Sequence, residues 1–188
     1  MHPKPCTALL LGLLITVSAS VARANPPPPP RAAPPPPTPA PAVGRSWPVG
    51  TRPTVVRGWE PPATAYTRGH RGVDLATAPG APVRAAATGR VSYAGRVAGR
   101  GVVSVELAGT DLRTTYEPVQ ASVARGDEVT AGEVIGTVEP AGSHCATPCL
   151  HWGLLRGLTY LNPLTLLPPW LLRKGPARLL PVLGVPLP

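Results

Sequence analysis

The chain has 188 residues, of which 29 are proline and 20 are glycine, and its formal net charge is +9 from 18 basic and 9 acidic side chains. A nucleic-acid-binding protein would concentrate such charge in a basic stripe. Here the arginines are scattered along the sequence, so the composition excludes nucleic acid as a partner.

The first 24 residues have the layout of a secretory signal peptide. Lys4 precedes an apolar run at residues 8–17, and small residues mark a cleavage site at residues 22–24. The run is about half the length needed to span a bilayer core. We therefore predict cleavage after residue 24, a secreted, extracytoplasmic or cell-wall location, and no transmembrane segment after cleavage. Loss of Lys4 and Arg23 lowers the charge from +9 to +7, which favours weak attraction to anionic cell-wall polymers.

Residues 25–46 form a proline-rich linker that contains PPPPPRAAPPPPTPAP at residues 26–41. Such a run lacks backbone donors and adopts the extended polyproline II form, at about 3.1 Å per residue. The sequence therefore predicts a disordered N-terminal arm, semi-rigid over roughly 50 Å.

Residues 47–169 change to short β-rich runs separated by glycine-centred turns. The runs are PVRAAATGRVSYAG, GVVSVELAG, LRTTYEPV, DEVTAGEVIGTVE and LHWGLLRG. This rhythm predicts an all-β fold: one small antiparallel β-sheet or sandwich domain, whose core is filled by Val, Leu and Ala because phenylalanine is absent. Residues 170–188 form an apolar C-terminal tail that prolines interrupt.

The segment GHRGVDLA, residues 69–76, carries His70 and Asp74 four positions apart. Gly72 within this spacing disfavours a helix, and a fully extended strand would separate the two side chains by about 13 Å. Because glycine adopts positive φ without a Cβ clash, we expect a bend at Gly72 that brings imidazole and carboxylate together. A strand should then begin with VDLA.

A further histidine lies far along the chain in CLHWG, residues 149–153. In a strand, His151 points to the same face as Cys149 and away from its two apolar neighbours. His70, Asp74 and His151 make an N, O, N ligand set, and three protein ligands with a fourth position for water are typical of catalytic zinc. The spacing alone is also compatible with histidines that serve only the structure.

The segment GHRGVDLATAPGAPVRAAATGRVSYAG resembles the core of the lysostaphin-type zinc metallopeptidases, the LytM-like peptidase domain. The resemblance continues in order through GVVSVEL, LRTTYEPV, GDEVTAGEVIGTV, LHWGLLRG and LNPLTLL, and covers nearly all of residues 68–167. It implies the LytM-like (duplicated hybrid motif) β fold and zinc as cofactor. It also implies His70, Asp74 and His151 as the metal ligands of a peptidase that acts on peptidoglycan.

Two family positions are substituted in this chain. The family usually carries two more histidines beside the metal: the first of a His-x-His motif, which aligns with Cys149, and the last of a Tyr-x-His pattern, which aligns with Pro118. The catalytic acid-base group is therefore unknown. The candidates are His144, in the loop before Cys149, and Glu117. In a regular strand Glu117 would face away from the side of residue 118, but Pro118 distorts the strand. Loss of such a group typically costs about 10²–10⁴ in rate.

Cleavage of the signal peptide removes Cys6 and leaves Cys145 and Cys149. In an oxidising compartment an even pair of cysteines is most simply explained by one disulfide, which would fix the rim of the site. The alternative is a Cys149 thiolate that acts as a ligand or base.

Two functions follow from these observations. The first is a secreted zinc metalloendopeptidase that hydrolyses peptide bonds in peptidoglycan through a zinc-bound hydroxide. The second is a catalytically degenerate domain that binds the cell wall or activates another hydrolase. Substitution of both accessory histidines favours the second function, whereas retention of all three ligand positions favours the first.

Overall fold

The computed structural model describes residues 38–64 and 67–173. Their strands are β1 (Val55–Arg57), β2 (Gly72–Ala76), β3 (Pro82–Arg84), β4 (Gly89–Val97), β5 (Arg100–Leu107), β6 (Leu112–Glu117), β7 (Val119–Ala121), β8 (Glu128–Val129), β9 (Val134–Val138), β10 (Cys149–Arg156) and β11 (Thr159–Leu161). A 3-10 helix (Pro163–Leu166) and a short helix α1 (Pro169–Leu172) follow. The predicted all-β fold is confirmed. The predicted signal peptide, the linker up to residue 37 and the tail from residue 174 lie outside the described residues.

The strands form two antiparallel sheets. The larger has the order β1-β2-β10-β6-β5-β4-β8, with β11 paired to β10, and the smaller has the order β3-β9-β7. β10 therefore lies between β2 and β6. Directly opposite residues of an antiparallel pair project from the same face. His151 of β10 stands opposite Asp74 of β2 and opposite Glu117 of β6, so one face of the sheet carries all three.

The other face of these strands packs into a single hydrophobic core that draws on both sheets. Valine, leucine and alanine supply most of this core, as the composition predicts, and Trp152 and Tyr116 are its largest fully buried side chains. Trp152 donates from Nε1 to Thr114 Oγ1 at 2.6 Å, and Thr114 Oγ1 donates to the carbonyl of Gly153 at 2.9 Å. Trp152 Nε1 and Thr114 Oγ1 are thus both hydrogen-bonded, which avoids the cost of leaving them unpaired in the core.

The described end of the proline-rich stretch lies along the β domain. Gly44 donates its backbone N–H to the carbonyl of Leu166, and Arg45 donates to that of Ala86, each at 2.8 Å. Trp47, which follows, is buried in the core. Among the described residues, no helix has the length and apolar character needed to cross a membrane.

Candidate metal centre

His70 and Asp74 meet where the chain enters β2. His70 forms an isolated β-bridge with Glu60, the backbone bends at Arg71, and the extended strand starts at the next residue. The bend brings His70 Nε2 to 3.0 Å from Asp74 Oδ1. The expected bend at Gly72 is wrong, because Gly72 is already the first residue of β2 and does not have positive φ.

Gly72 is needed for a different reason, which is space. A Cβ at this position would lie 2.3 Å from the carbonyl oxygen of Trp152 and 2.7 Å from Nε2 of His151. Gly153 stands opposite Gly72 in the β2–β10 pair, and a Cβ there would lie 2.5 Å from Thr115 Oγ1. The two glycines therefore form a floor without side chains beside the ring of His151.

Three atoms that could serve as metal ligands lie close to one another: His70 Nε2, Asp74 Oδ1 and His151 Nδ1. His151 Nδ1 lies 2.8 Å from Asp74 Oδ1 and 3.1 Å from His70 Nε2. Ligands of a tetrahedral zinc ion, at bond lengths of about 2.0–2.1 Å, are separated from each other by about 3.3 Å. The spacing of the three atoms is therefore close to that required around a single ion.

The hydrogen bonds of His70 fix which of its nitrogens faces the other two atoms. His70 Nδ1 lies 2.6 Å from the carbonyl oxygen of Gly58, which can only accept, so Nδ1 carries the hydrogen. Nε2 of the neutral ring then presents a lone pair, as does Oδ1 of an ionised Asp74. Two lone pairs that point at each other repel, and a cation bound between them removes this repulsion. The residues present therefore fit zinc, whose histidine ligands usually donate their other N–H to an outer acceptor.

The surroundings of Asp74 favour its charged form despite its burial. Its side chain has no exposed surface. Burial raises the pKa of this carboxyl group, but the hydrogen bond from His151 and the nearby imidazoles of His144, His151 and His70 act in the opposite direction and bring the pKa below its usual range. The lowered pKa favours a charged carboxylate at this buried position.

The two candidates for the missing acid-base group are placed differently. His144 Nε2 lies 3.0 Å from Asp74 Oδ2, and donor atoms of His70, Asp74, His144 and His151 lie within 4.8 Å of one another. Glu117 shares the sheet face of His151, but its carboxylate lies 3.7 Å from Arg100 Nε and does not belong to this group. The structure thus brings His144, and not Glu117, to the candidate metal ligands.

The positions of the two accessory histidines hold groups that cannot exchange a proton. The expected disulfide between Cys145 and Cys149 is present, so the alternative of a Cys149 thiolate does not apply to this form. Pro118, at the other position, follows a cis peptide bond. Neither position supplies an acid or a base.

Several groups around the site have no counterpart among the residues predicted from the sequence. The carbonyl of Gly58, which lies 12 residues before its partner His70, carries no motif. The glycine floor does have a signal, because a glycine inside a strand often marks a close approach of another group. Gly72 and Gly153 both stand in runs that are otherwise typical of strands.

The profile of peptidase family M23 matches residues 68–163. The chain belongs to peptidase family M23. The expected resemblance to the lysostaphin-type enzymes is thereby confirmed. This M23 chain is 44% identical over 141 residues to an uncharacterized protein of Mycobacterium tuberculosis, a match that covers 72% of the chain and 54% of that protein. The chain thus spans about half the length of this curated relative.

Solved structures share the fold of the M23 chain. The catalytic domain of the antimicrobial peptidase lysostaphin from Staphylococcus simulans aligns with a TM-score of 0.53 at 24% identity, covering 64% of this chain and 93% of that domain. The structure of the SpoIIQ-SpoIIIAH pore forming complex contains a chain that aligns with a TM-score of 0.54 at 24% identity, covering 67% of this chain and 92% of that chain. At this identity the similarity is one of fold.

Proposed function

We propose that this M23 chain is an extracytoplasmic zinc metalloendopeptidase that hydrolyses peptide bonds in peptidoglycan. The observation that carries the proposal is the convergence of His70 Nε2, Asp74 Oδ1 and His151 Nδ1 within 3.1 Å of one another. Membership of a peptidase family supports the reaction, and the sequence signal at residues 1–24 supports export to the compartment where peptidoglycan lies.

Each candidate ligand is held by a different part of the fold. The carbonyl of Gly58 orients His70, the strand pairing of β2 with β10 places Asp74 opposite His151, and the glycine at position 72 leaves room for the His151 ring. When bound, zinc would polarise the scissile carbonyl and lower the pKa of a water molecule. The protein's own contribution is to keep the three ligand atoms in place, with the partly exposed side chain of His144 beside them.

A second candidate function has its own support. Pro118 and the oxidised Cys149 occupy the positions of both accessory histidines, and the fold also occurs in a protein of a pore forming complex. On this alternative, the chain is a catalytically degenerate module that binds the cell wall or activates another hydrolase, and the candidate metal centre takes no part in hydrolysis.

The test is incubation of the purified chain with purified peptidoglycan, followed by measurement of newly released amino groups. We expect release that stops when a chelator is added and resumes when zinc is restored. Asp74→Ala should abolish it, whereas Asp111→Ala, a change at an exposed aspartate paired with Arg156, should not. Co-sedimentation with peptidoglycan without release, and without any effect of the chelator, would favour the non-catalytic module.

A further inference from the structure

The loop between β9 and β10 brings a further histidine to the metal centre. His144 lies in this loop, and its Nε2 is 3.0 Å from Asp74 Oδ2. His70 and His151 approach the same carboxylate through its other oxygen, Oδ1. The two oxygens of Asp74 therefore have separate partners: Oδ1 faces the candidate ligands, and Oδ2 faces His144.

His144 forms the side of the site that faces solvent. Its side chain is 34% exposed, against 5% for His70 and 12% for His151. Its ring centroid lies 5.3 Å from that of His151 and 6.0 Å from that of His70. An imidazole on the outer oxygen of a ligating carboxylate is the kind of contact that orients metal ligands in proteins.

A covalent cross-link ties this loop to the strand that carries His151. The residues between Val138 and Cys149 form neither strand nor helix, and holding one side chain of such a segment in place costs conformational entropy. The disulfide joins Cys145, the residue after His144, to Cys149, the first residue of β10. The backbone beside His144 is thus fixed relative to His151, two residues beyond Cys149.

We infer that the Cys145–Cys149 disulfide positions His144 as the outer hydrogen-bond partner of Asp74, so that zinc binding depends on this cross-link. The inference rests on the proposed function, because it requires zinc at the three candidate ligands. His144 is then a positioning residue that holds Asp74 Oδ2 and keeps Oδ1 directed at the metal. Loss of an outer partner of this kind typically weakens metal binding by about 10- to 100-fold.

The experiment compares zinc dissociation constants, measured by competition with a chelating indicator, for the oxidised chain and its variants. We expect His144→Ala to weaken binding by about 10- to 100-fold. The cysteine pair variant (Cys145→Ala with Cys149→Ala) should lose a comparable factor. The triple variant should bind no more weakly than His144→Ala alone, because both changes remove the same contact.

Two further variants separate positioning from a general effect on the loop. His144→Gln keeps an N–H that can donate to Asp74 Oδ2 and should retain most of the affinity. Thr147→Ala changes an exposed residue of the same loop and should leave the dissociation constant unchanged. Reduction of the wild-type chain is not an equivalent test, since donor atoms of Asp74, His144, Cys145 and Cys149 lie within 4.8 Å of one another and free thiols would join the site.

The outcomes distinguish this inference from the function on which it rests. If wild-type chain and variants alike bind no zinc, the proposed function fails and the inference with it. If the wild type binds zinc and releases amino groups from peptidoglycan, but His144→Ala binds as tightly, only the inference is overturned. The same holds if the cysteine pair variant keeps wild-type affinity. His144→Ala changes an exposed loop residue, so it tests the contact between His144 and Asp74 even if the cysteine pair variant does not fold.

Discussion

Trp152 and His151 are neighbours in β10, yet they serve the two faces of one sheet. Trp152 is fully buried in the core, where Thr114 accepts its Nε1–H, and its partners are otherwise apolar. His151 lies on the opposite face, where the side chains of His70 and Asp74 and the glycine floor surround it. One face is covered by the hydrophobic core. On the other face, the two glycines leave space beside the candidate metal ligands. A single strand therefore links the stability of the fold to the geometry of the site.

The largest expected effect separates these two faces directly. Trp152→Ala should lower the free energy of unfolding by about 3–5 kcal/mol, because it leaves a cavity in the core. His151→Ala should cost the metal-free chain distinctly less but remove bound zinc. Chemical denaturation of the metal-free chains, together with zinc content of the purified proteins, checks both expectations. Equal destabilisation by the two changes would contradict the division between the faces.

A smaller effect on stability is expected at Gly72, beside the ring of His151. An added Cβ would meet the backbone oxygen of Trp152 at 2.3 Å, and a backbone atom of a central strand cannot easily move away. We expect Gly72→Ala to destabilise the chain by about 1–3 kcal/mol. It should also weaken zinc binding, since the Cβ crowds Nε2 of His151. Unfolding and metal competition measured on the same preparation test this, and wild-type zinc affinity in the variant would show that the floor is not required.

The smallest effect is expected at Gly153, where the obstacle is a side chain. A Cβ there meets Thr115 Oγ1 at 2.5 Å, and a threonine can rotate or be replaced. Gly153→Ala should cost about 1 kcal/mol, the low end for overpacking. Adding Thr115→Ala should restore most of that loss, because it removes the clashing atom. Thermal unfolding of the single and double variants measures the coupling, and strictly additive effects would contradict the assigned clash.

The sequence predicted the parts of this molecule that depend on local pattern. Alternation along β10 placed His151 and Cys149 on the face opposite Leu150 and Trp152, because the period of a strand is two. The pair of cysteines that the expected signal-peptide cleavage would leave predicted the disulfide. These inferences need no knowledge of which strands are neighbours.

Features set by distant pairing were not predictable in the same way. The bend lies at Arg71 rather than Gly72, because Gly72 is already paired with Gly153 in the sheet. The need for glycine at position 72 arises from the carbonyl oxygen of Trp152 and the ring of His151, which only the β2–β10 register brings there. His144 was identified as a candidate by its nearness to Cys149 in the chain, but its contact with Asp74 Oδ2 depends on the path of a loop without regular structure.

The proposed function and the further inference both require one metal ion held jointly by His70, Asp74 and His151. Anomalous diffraction at the zinc absorption edge, from crystals of the chain purified with zinc, tests this most directly. We predict one strong peak at about 2.0–2.2 Å from His70 Nε2, Asp74 Oδ1 and His151 Nδ1. A zinc-loaded crystal with no peak among these three atoms, or with the ion bound elsewhere, would contradict the account.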